Sequence, residues 1–184
     1  MPDVAPLPVA PAAPPHTMRA FRGAEDTVRT MIAGVKGHRG ERSVLLRSLT
    51  EQVVRDLWPK DYLSEIIAIR NFVAEKVRYL NDPLTTEWVK DPQRLAEEIM
   101  AHGRSNADCD ELCALILAMT RQCGRQGQVI VVGFNPMAPG HFSHTFARVK
   151  EPKSGKWIVV DPVAGTDEAT MLARVATWKA YDLD

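Results

Sequence analysis

Cys109 stands in "SNADCDELCALILAM" (105–119), at the head of an apolar run and between two aspartates. Asp108 followed three residues later by Glu111 is a variant capping box, so the thiol is expected in the first turn of a helix. There the helix leaves its first N–H groups unpaired and carries the positive end of its dipole. Both features favour a thiolate and can also donate to an oxyanion growing beside the sulfur. Asp108, Asp110 and Glu111 act against the thiolate, so an imidazolium partner is required. A cysteine is also among the most readily buried residues, and Cys113 and Cys123 have only that packing role to recommend them.

Five histidines are available. His16 lies near the N-terminus, His38 in a glycine-rich stretch, and His102 at the end of a short helix. His141 and His144 flank "FS" at the mouth of a strand. His144 opens "HTFARV", and its imidazole is expected to project from the strand's first residue while Phe146 alternates onto the packed face. Asp161 ends the strand "WIVV" and precedes Pro162, which holds it extended. A hairpin through "EPKSG" would bring residues 144 and 161 to one end, where the carboxylate could orient the imidazole.

The elements that must position these groups follow from the hydrophobic periodicity. Residues 18–40 carry a helical pattern broken by glycines at 34, 37 and 40, and a second helix runs over 41–57. Asp61 or Ser64 caps a third, "YLSEIIAIRNFVAEKVRYL", with Ile66, Ile69, Phe72, Val73, Val77 and Leu80 as its apolar stripe. Residues 81–91 read as a loop containing Trp88, and "PQRLAEEIMAHG" as a short helix closed by Gly103. The central helix spans 109–123. Then "QVIVVGF", "HTFARVK" and "KWIVVD" read as strands. "EATMLARVA" is expected as a turn or two of helix, and "TWKAYDL" alternates as a strand does. Helices first and strands afterwards argue an α+β fold with an antiparallel sheet.

At 184 residues the chain has room for one domain with a substantial core. Lys+Arg and Asp+Glu balance at 23 each, which disfavours nucleic acid as a partner. The longest apolar stretch, Leu112–Met119, is far short of the roughly 18 residues that span a bilayer. The segment "MPDVAPLPVAPAAPPHT" (1–17) lacks the basic and uninterrupted apolar regions of a signal peptide. Its prolines favour extended chain, as a disordered leader or as an arm on a neighbouring subunit. Three clustered cysteines are not a disulfide framework, and a reducing compartment is the simpler assumption. Zinc is a weak rival: Cys109, Cys113, Cys123, His141 and His144 supply donors, but Cys-x3-Cys is not the usual spacing.

"ADCDELCALILAMTRQCG", "HTFARV" and "WIVVDP" together resemble the transglutaminase-like superfamily of papain-type cysteine enzymes, over about residues 60–165. The resemblance implies a transglutaminase-like, cysteine-proteinase fold with a small antiparallel sheet packed on the nucleophile helix. It implies Cys109 as nucleophile, His144 as general base and acid, and Asp161 as the orienting group. Trp88, Asn106 and Asp108 are the candidates for oxyanion or substrate binding. The chain carries Ala107 where the family has glycine. The helical half, with "DYLSEIIAIRNFVAEKVRYLNDP", is similar to members from tailed phages and prophages.

The resulting expectation is a leader (1–17), a helical region (18–58) and a transglutaminase-like domain (59–184). The chemistry would be acyl transfer from a peptide or protein amide through a thioester, to water or to an amine. No metal or cofactor is needed. The rival from another class is a virion or tail structural protein on the same fold, contacting other phage subunits through its N-terminal arm. The location would be the host cytoplasm or the virion. The loop "GFNPMAPGHFS" (133–143) is expected to border the cleft.

Overall fold

The computed structural model describes residues 23–82, 88–163 and 173–183. The leader and most of "EATMLARVA" lie outside them.

Among the described residues five helices precede and surround the sheet region: α1 (Ala24–Lys36), α2 (Val44–Val54), α3 (Tyr62–Lys76), α4 (Pro92–His102) and α5 (Cys109–Gln122). Local chemistry sets their ends. Ser43 caps α2 by accepting from the Leu46 N–H, Asp61 caps α3 from Ser64, and Asp91 caps α4 from Arg94 with Pro92 just inside. Gly103 closes α4 at φ 76° and Gly124 follows α5 at φ 74°, the left-handed conformation that glycine adopts without strain.

α5 organises the rest. Every residue from Asp110 to Thr120 is buried, which is the behaviour of a helix apolar on all sides. α1, α2, α3 and α4 pack around it, and strands β3 (Gly127–Gly133) and β4 (His144–Lys150) cover the remaining face. Val28, Met31 and Val35 of α1 share one core with Leu115, Ile116 and Leu117 of α5 and with Val129, Val131, Ala147 and Val149 of the sheet. With β5 (Trp157–Val160) and β6 (Thr177–Asp182), β3 and β4 form an antiparallel sheet ordered β5-β4-β3-β6. The fold is therefore α+β, with an antiparallel sheet on the cysteine helix. No described helix is long and apolar enough to cross a membrane.

The third helix stops at Lys76 rather than Leu80. Val77–Tyr79 is a strand, β1, paired in parallel with β2 (Ser105–Ala107). Val-Arg-Tyr suits a strand as well as the end of an apolar stripe, and the partner segment decides between them. The second helix is likewise shorter than 41–57.

The β4–β5 hairpin is held by its own turn. The Glu151 carboxylate accepts from the backbone N–H groups of Lys153 (2.8 Å) and Ser154 (2.6 Å), and Gly155 takes φ 67°. The resulting register pairs Ala147 with Val160. Continued past the ladder, it sets Asp161 across from Phe146, one diagonal step from His144.

Candidate active site

Cys109 is the first helical residue of α5, directly after its cap. Asp108 accepts from the Asp110 N–H at 3.1 Å, and Glu111 returns a bond to the Asp108 N–H at 3.2 Å, completing the capping box. The other Glu111 oxygen accepts from the Lys90 N–H at 2.8 Å, which ties the segment after Trp88 to the helix start. Glu111 is buried, and burial pushes its carboxyl up to about 8 despite the two amide donors.

The thiol is not a ready thiolate. Burial first, then the Asp110 and Asp108 carboxylates, push Cys109 well above its ordinary value, while the Thr145 backbone N–H on the sulfur works the other way. Its sulfur lies 3.6 Å from Asp110 Oδ1. The helix start supplies oriented N–H groups, yet two flanking carboxylates and a buried position outweigh them.

His144 begins β4 and lines the same cavity of about 270 Å³ as Cys109, together with Gly23, Thr27 and Phe142. Its Nε2 lies 2.7 Å from Asp161 Oδ2. Asp161 is 4% exposed. Its other oxygen accepts from the Val163 N–H at 2.8 Å, and its carbonyl accepts from Arg70 Nε on α3 at 3.2 Å. The carboxylate is thus fixed before it meets the imidazole. With Nε2–H given to Asp161, Nδ1 is the basic nitrogen.

His144 and Phe146 do not face apart: residues two positions along a strand share a face. Their rings are 6.2 Å apart, and Phe146 packs with Ile130 and Val132 in a smaller cluster on the sheet side away from α5. Phe134 stacks on His144 from the β3–β4 connection, with ring centroids 6.5 Å apart. Gly133 opens that connection because an added Cβ would lie 2.3 Å from the His141 carbonyl oxygen. Phe142 and Ser143 from the same loop line the cavity, while His141 does not.

The remaining sequence candidates are scattered. Trp88 is half-buried, donates its backbone N–H to Asp82, and has a buried indole N–H with no acceptor among the described residues. It is not among the residues lining the cavity. Asn106 is exposed on β2, and its carbonyl accepts from Lys90 Nζ at 2.6 Å. Among the described residues, the metal-capable donors that converge are Asp108, Cys109 and Asp110, within 4.8 Å of one another. Cys113 and Cys123 stand apart from them as free thiols, so the zinc set considered from sequence is not assembled.

Tyr79 was absent from the sequence reading. The end of β1 places it beside Cys109, Asp108 and Asp110, and burial together with these neighbours pushes its phenol up to about 12. The signal for it was β-type residues directly after a helix, and the expected helix absorbed them.

Residues 47–162 match the family described as the transglutaminase-like superfamily. Two solved structures share the fold. One, named as a cysteine protease from Cytophaga hutchinsonii, has a TM-score of 0.51 and 16% identity, and the match covers 83% of this chain and 51% of that one. The other, named as a protease from Parabacteroides distasonis, has a TM-score of 0.59 and 13% identity, and covers 89% of this chain and 30% of that one. The chain thus spans about half of one neighbour's length and about a third of the other's. No curated protein matches it.

Proposed function

This chain belongs to the transglutaminase-like superfamily, and from that premise we propose that it is a cysteine enzyme transferring the acyl group of a peptide or protein amide through a thioester on Cys109. The observation that carries the reading is the His144 Nε2–Asp161 Oδ2 contact of 2.7 Å, made by a histidine that shares a cavity with the thiol.

In this reading the thiol stays protonated until substrate arrives. His144 Nδ1 takes the thiol proton as the sulfur adds to the amide carbon, giving a tetrahedral oxyanion. When the C–N bond breaks, the imidazolium returns that proton to the leaving amine. Water or a second amine then attacks the thioester carbon and loses a proton to His144. The C–S bond breaks, and the thiolate recovers the proton. Asp161 keeps the imidazole in the required tautomer and stabilises its charged form. Asp108 holds the helix start. Phe134, Phe142 and Ser143 bound the space left for an acyl chain.

The test uses casein with and without dansylcadaverine. New fragments assign water as the acceptor and fluorescent casein assigns an amine, and either signal must vanish in Cys109→Ala and His144→Ala. A signal that survives Cys109→Ala refutes the assignment, as does the absence of both signals together with no acyl adduct on Cys109 from an activated ester. The virion or tail role has no counterpart among the neighbours described above, and no contact of the site calls for it.

A further inference from the structure

Another cavity, of about 410 Å³, opens where the end of α4 turns back into β2. Among the described residues its wall carries three cations, Lys90, Arg94 and Arg104, against one carboxylate, Glu98, and it includes Asn106. The whole chain balances its charges at 23 each, so three cations against one carboxylate in a single cavity is a local departure. We propose that this cavity is a subsite of the cleft and takes an acidic side chain of the peptide or protein substrate. The proposal deepens the acyl-transfer reading above and rests on it.

Two of the cations are held in place by the wall itself. Lys90 Nζ donates to the Asn106 carbonyl at 2.6 Å and to Glu98 Oε2 at 3.5 Å, and Arg94 Nε donates to Glu98 Oε1 at 2.9 Å. Ser105 Oγ donates to Glu98 Oε2 at 2.5 Å. Both Glu98 oxygens are thereby engaged, and the side chains of Lys90 and Arg94 are only 22% and 26% exposed. An ammonium has three N–H donors and a guanidinium five, so the pair keeps donors to spare. Arg94 also stands 3.9 Å from Glu97, a carboxylate that lies outside the cavity wall and is shared with Arg39. Arg104 is exposed and has no carboxylate partner among the described residues. Cations already positioned lose little freedom when an anion arrives. Chain connectivity sets the distance from the chemistry. Asn106 is three residues before Cys109, so their Cα atoms lie within about 11 Å of each other. A substrate attacked at the sulfur therefore reaches the cavity with about three residues of extended chain. The wall around Cys109 carries Asp108 and Asp110. These repel an acidic residue beside the sulfur and leave the basic cavity as its place.

The probe is a fluorescein-labelled glycine peptide with central glutamates, compared with its glutamine and lysine versions. Fluorescence anisotropy should show the glutamate peptide binding about tenfold or more tightly than the other two, in wild-type and Cys109→Ala proteins alike. That preference should weaken as salt rises. Arg104→Glu leaves two cations against two carboxylates in the wall, so the preference should disappear, whereas Arg104→Lys should keep it. The bound glutamate peptide should also slow iodoacetamide alkylation of Cys109 severalfold, read on the Cys109 peptide by mass spectrometry. Equal binding of the glutamate and glutamine peptides overturns the proposal, as does a preference that survives Arg104→Glu or is lost in Arg104→Lys. Binding that leaves Cys109 alkylation unchanged overturns it too, because the cavity is then no part of the cleft. If the peptide binds and protects as expected while His144→Ala is acylated by p-nitrophenyl acetate as fast as wild type, the acyl-transfer reading fails by itself, separately from the cavity's preference for acidic peptide.

Discussion

Replacing Asp110 by asparagine should make Cys109 more reactive, although it alters a residue inside the nucleophile's own helix turn. The Cys109 sulfur lies 3.6 Å from Asp110 Oδ1. For a thiolate at that distance, repulsion by a full negative charge is about 1 kcal/mol at a water-like dielectric and about 5 kcal/mol at an effective dielectric of about 20. At about 1.4 kcal/mol per unit, the charge alone holds the thiol up by about 1 to 3 pKa units. Asparagine keeps the oxygen that accepts from the thiol and removes the charge, so the change isolates that contribution. Each unit of lowered pKa gives tenfold more thiolate but a weaker nucleophile, for a net gain of about 3- to 4-fold. Iodoacetamide alkylation at pH 7.5 should therefore accelerate by about 3- to 40-fold. In wild type the rate should keep climbing through pH 9.5, well past the free-thiol value of about 8.5. A wild-type rate that levels off below pH 8.5, or an Asp110→Asn rate equal to wild type, would refute the electrostatic account. A matching urea midpoint in the two proteins shows that the fold is unchanged.

Asp161→Asn keeps the shape of the His144 partner but removes its charge, and acylation by p-nitrophenyl acetate should fall by at least about 100-fold while circular dichroism is unchanged; a smaller loss would remove Asp161 from the mechanism. Glu111 binds its proton more tightly folded than unfolded, about 8 against 4.5, so the folded state holds more protons between those values. Its contribution is complete below about pH 4.5 and is lost as pH rises through about 8. Glu111→Gln should accordingly flatten the decline of the urea midpoint between pH 5 and 8, and an unchanged slope would show that Glu111 is not the group responsible. Gly133→Ala drives a Cβ against the His141 carbonyl; it should lower stability by about 1–3 kcal/mol and slow acylation through the displaced β3–β4 loop, read by thermal melting and by the same ester.

Much of this arrangement was legible because it is local. The capping box around Cys109 needs only Asp108 and Glu111, and the placement of Asp161 near His144 needs only a short hairpin with a turn residue at Gly155. Those patterns survive without knowledge of what packs on them. The β1–β2 pair was not legible, since Val77-Arg78-Tyr79 continues the apolar stripe of α3 and its partner is 28 residues away in sequence. Losing that pair meant losing Tyr79. The sense of the His144 side chain was misjudged for a simpler reason: with a period of two, His144 must lie on the same face as Phe146, and it is Thr145 that turns toward α5. Separately, the Thr145 backbone N–H works against the rise of the Cys109 thiol.

That amide bears on why a nucleophile should sit among carboxylates at all. Asp108 is needed to cap α5, and Glu111 to close the box and bind the Lys90 amide. Removing the Asp108 charge to favour a thiolate would loosen the turn that carries the sulfur. Keeping it, with Asp110 beside it, leaves a neutral thiol, which a basic Nδ1 can deprotonate only when the two are brought into line. On the proposed reading the free protein then carries no standing thiolate for stray electrophiles, and attack becomes conditional on a substrate whose developing oxyanion supplies the missing stabilisation. The same logic orders the variants: loss of Asp110's charge should raise alkylation, and loss of Asp161 should depress acylation through the histidine. A result in which both moved both reactions together would mean that the site is held by packing alone.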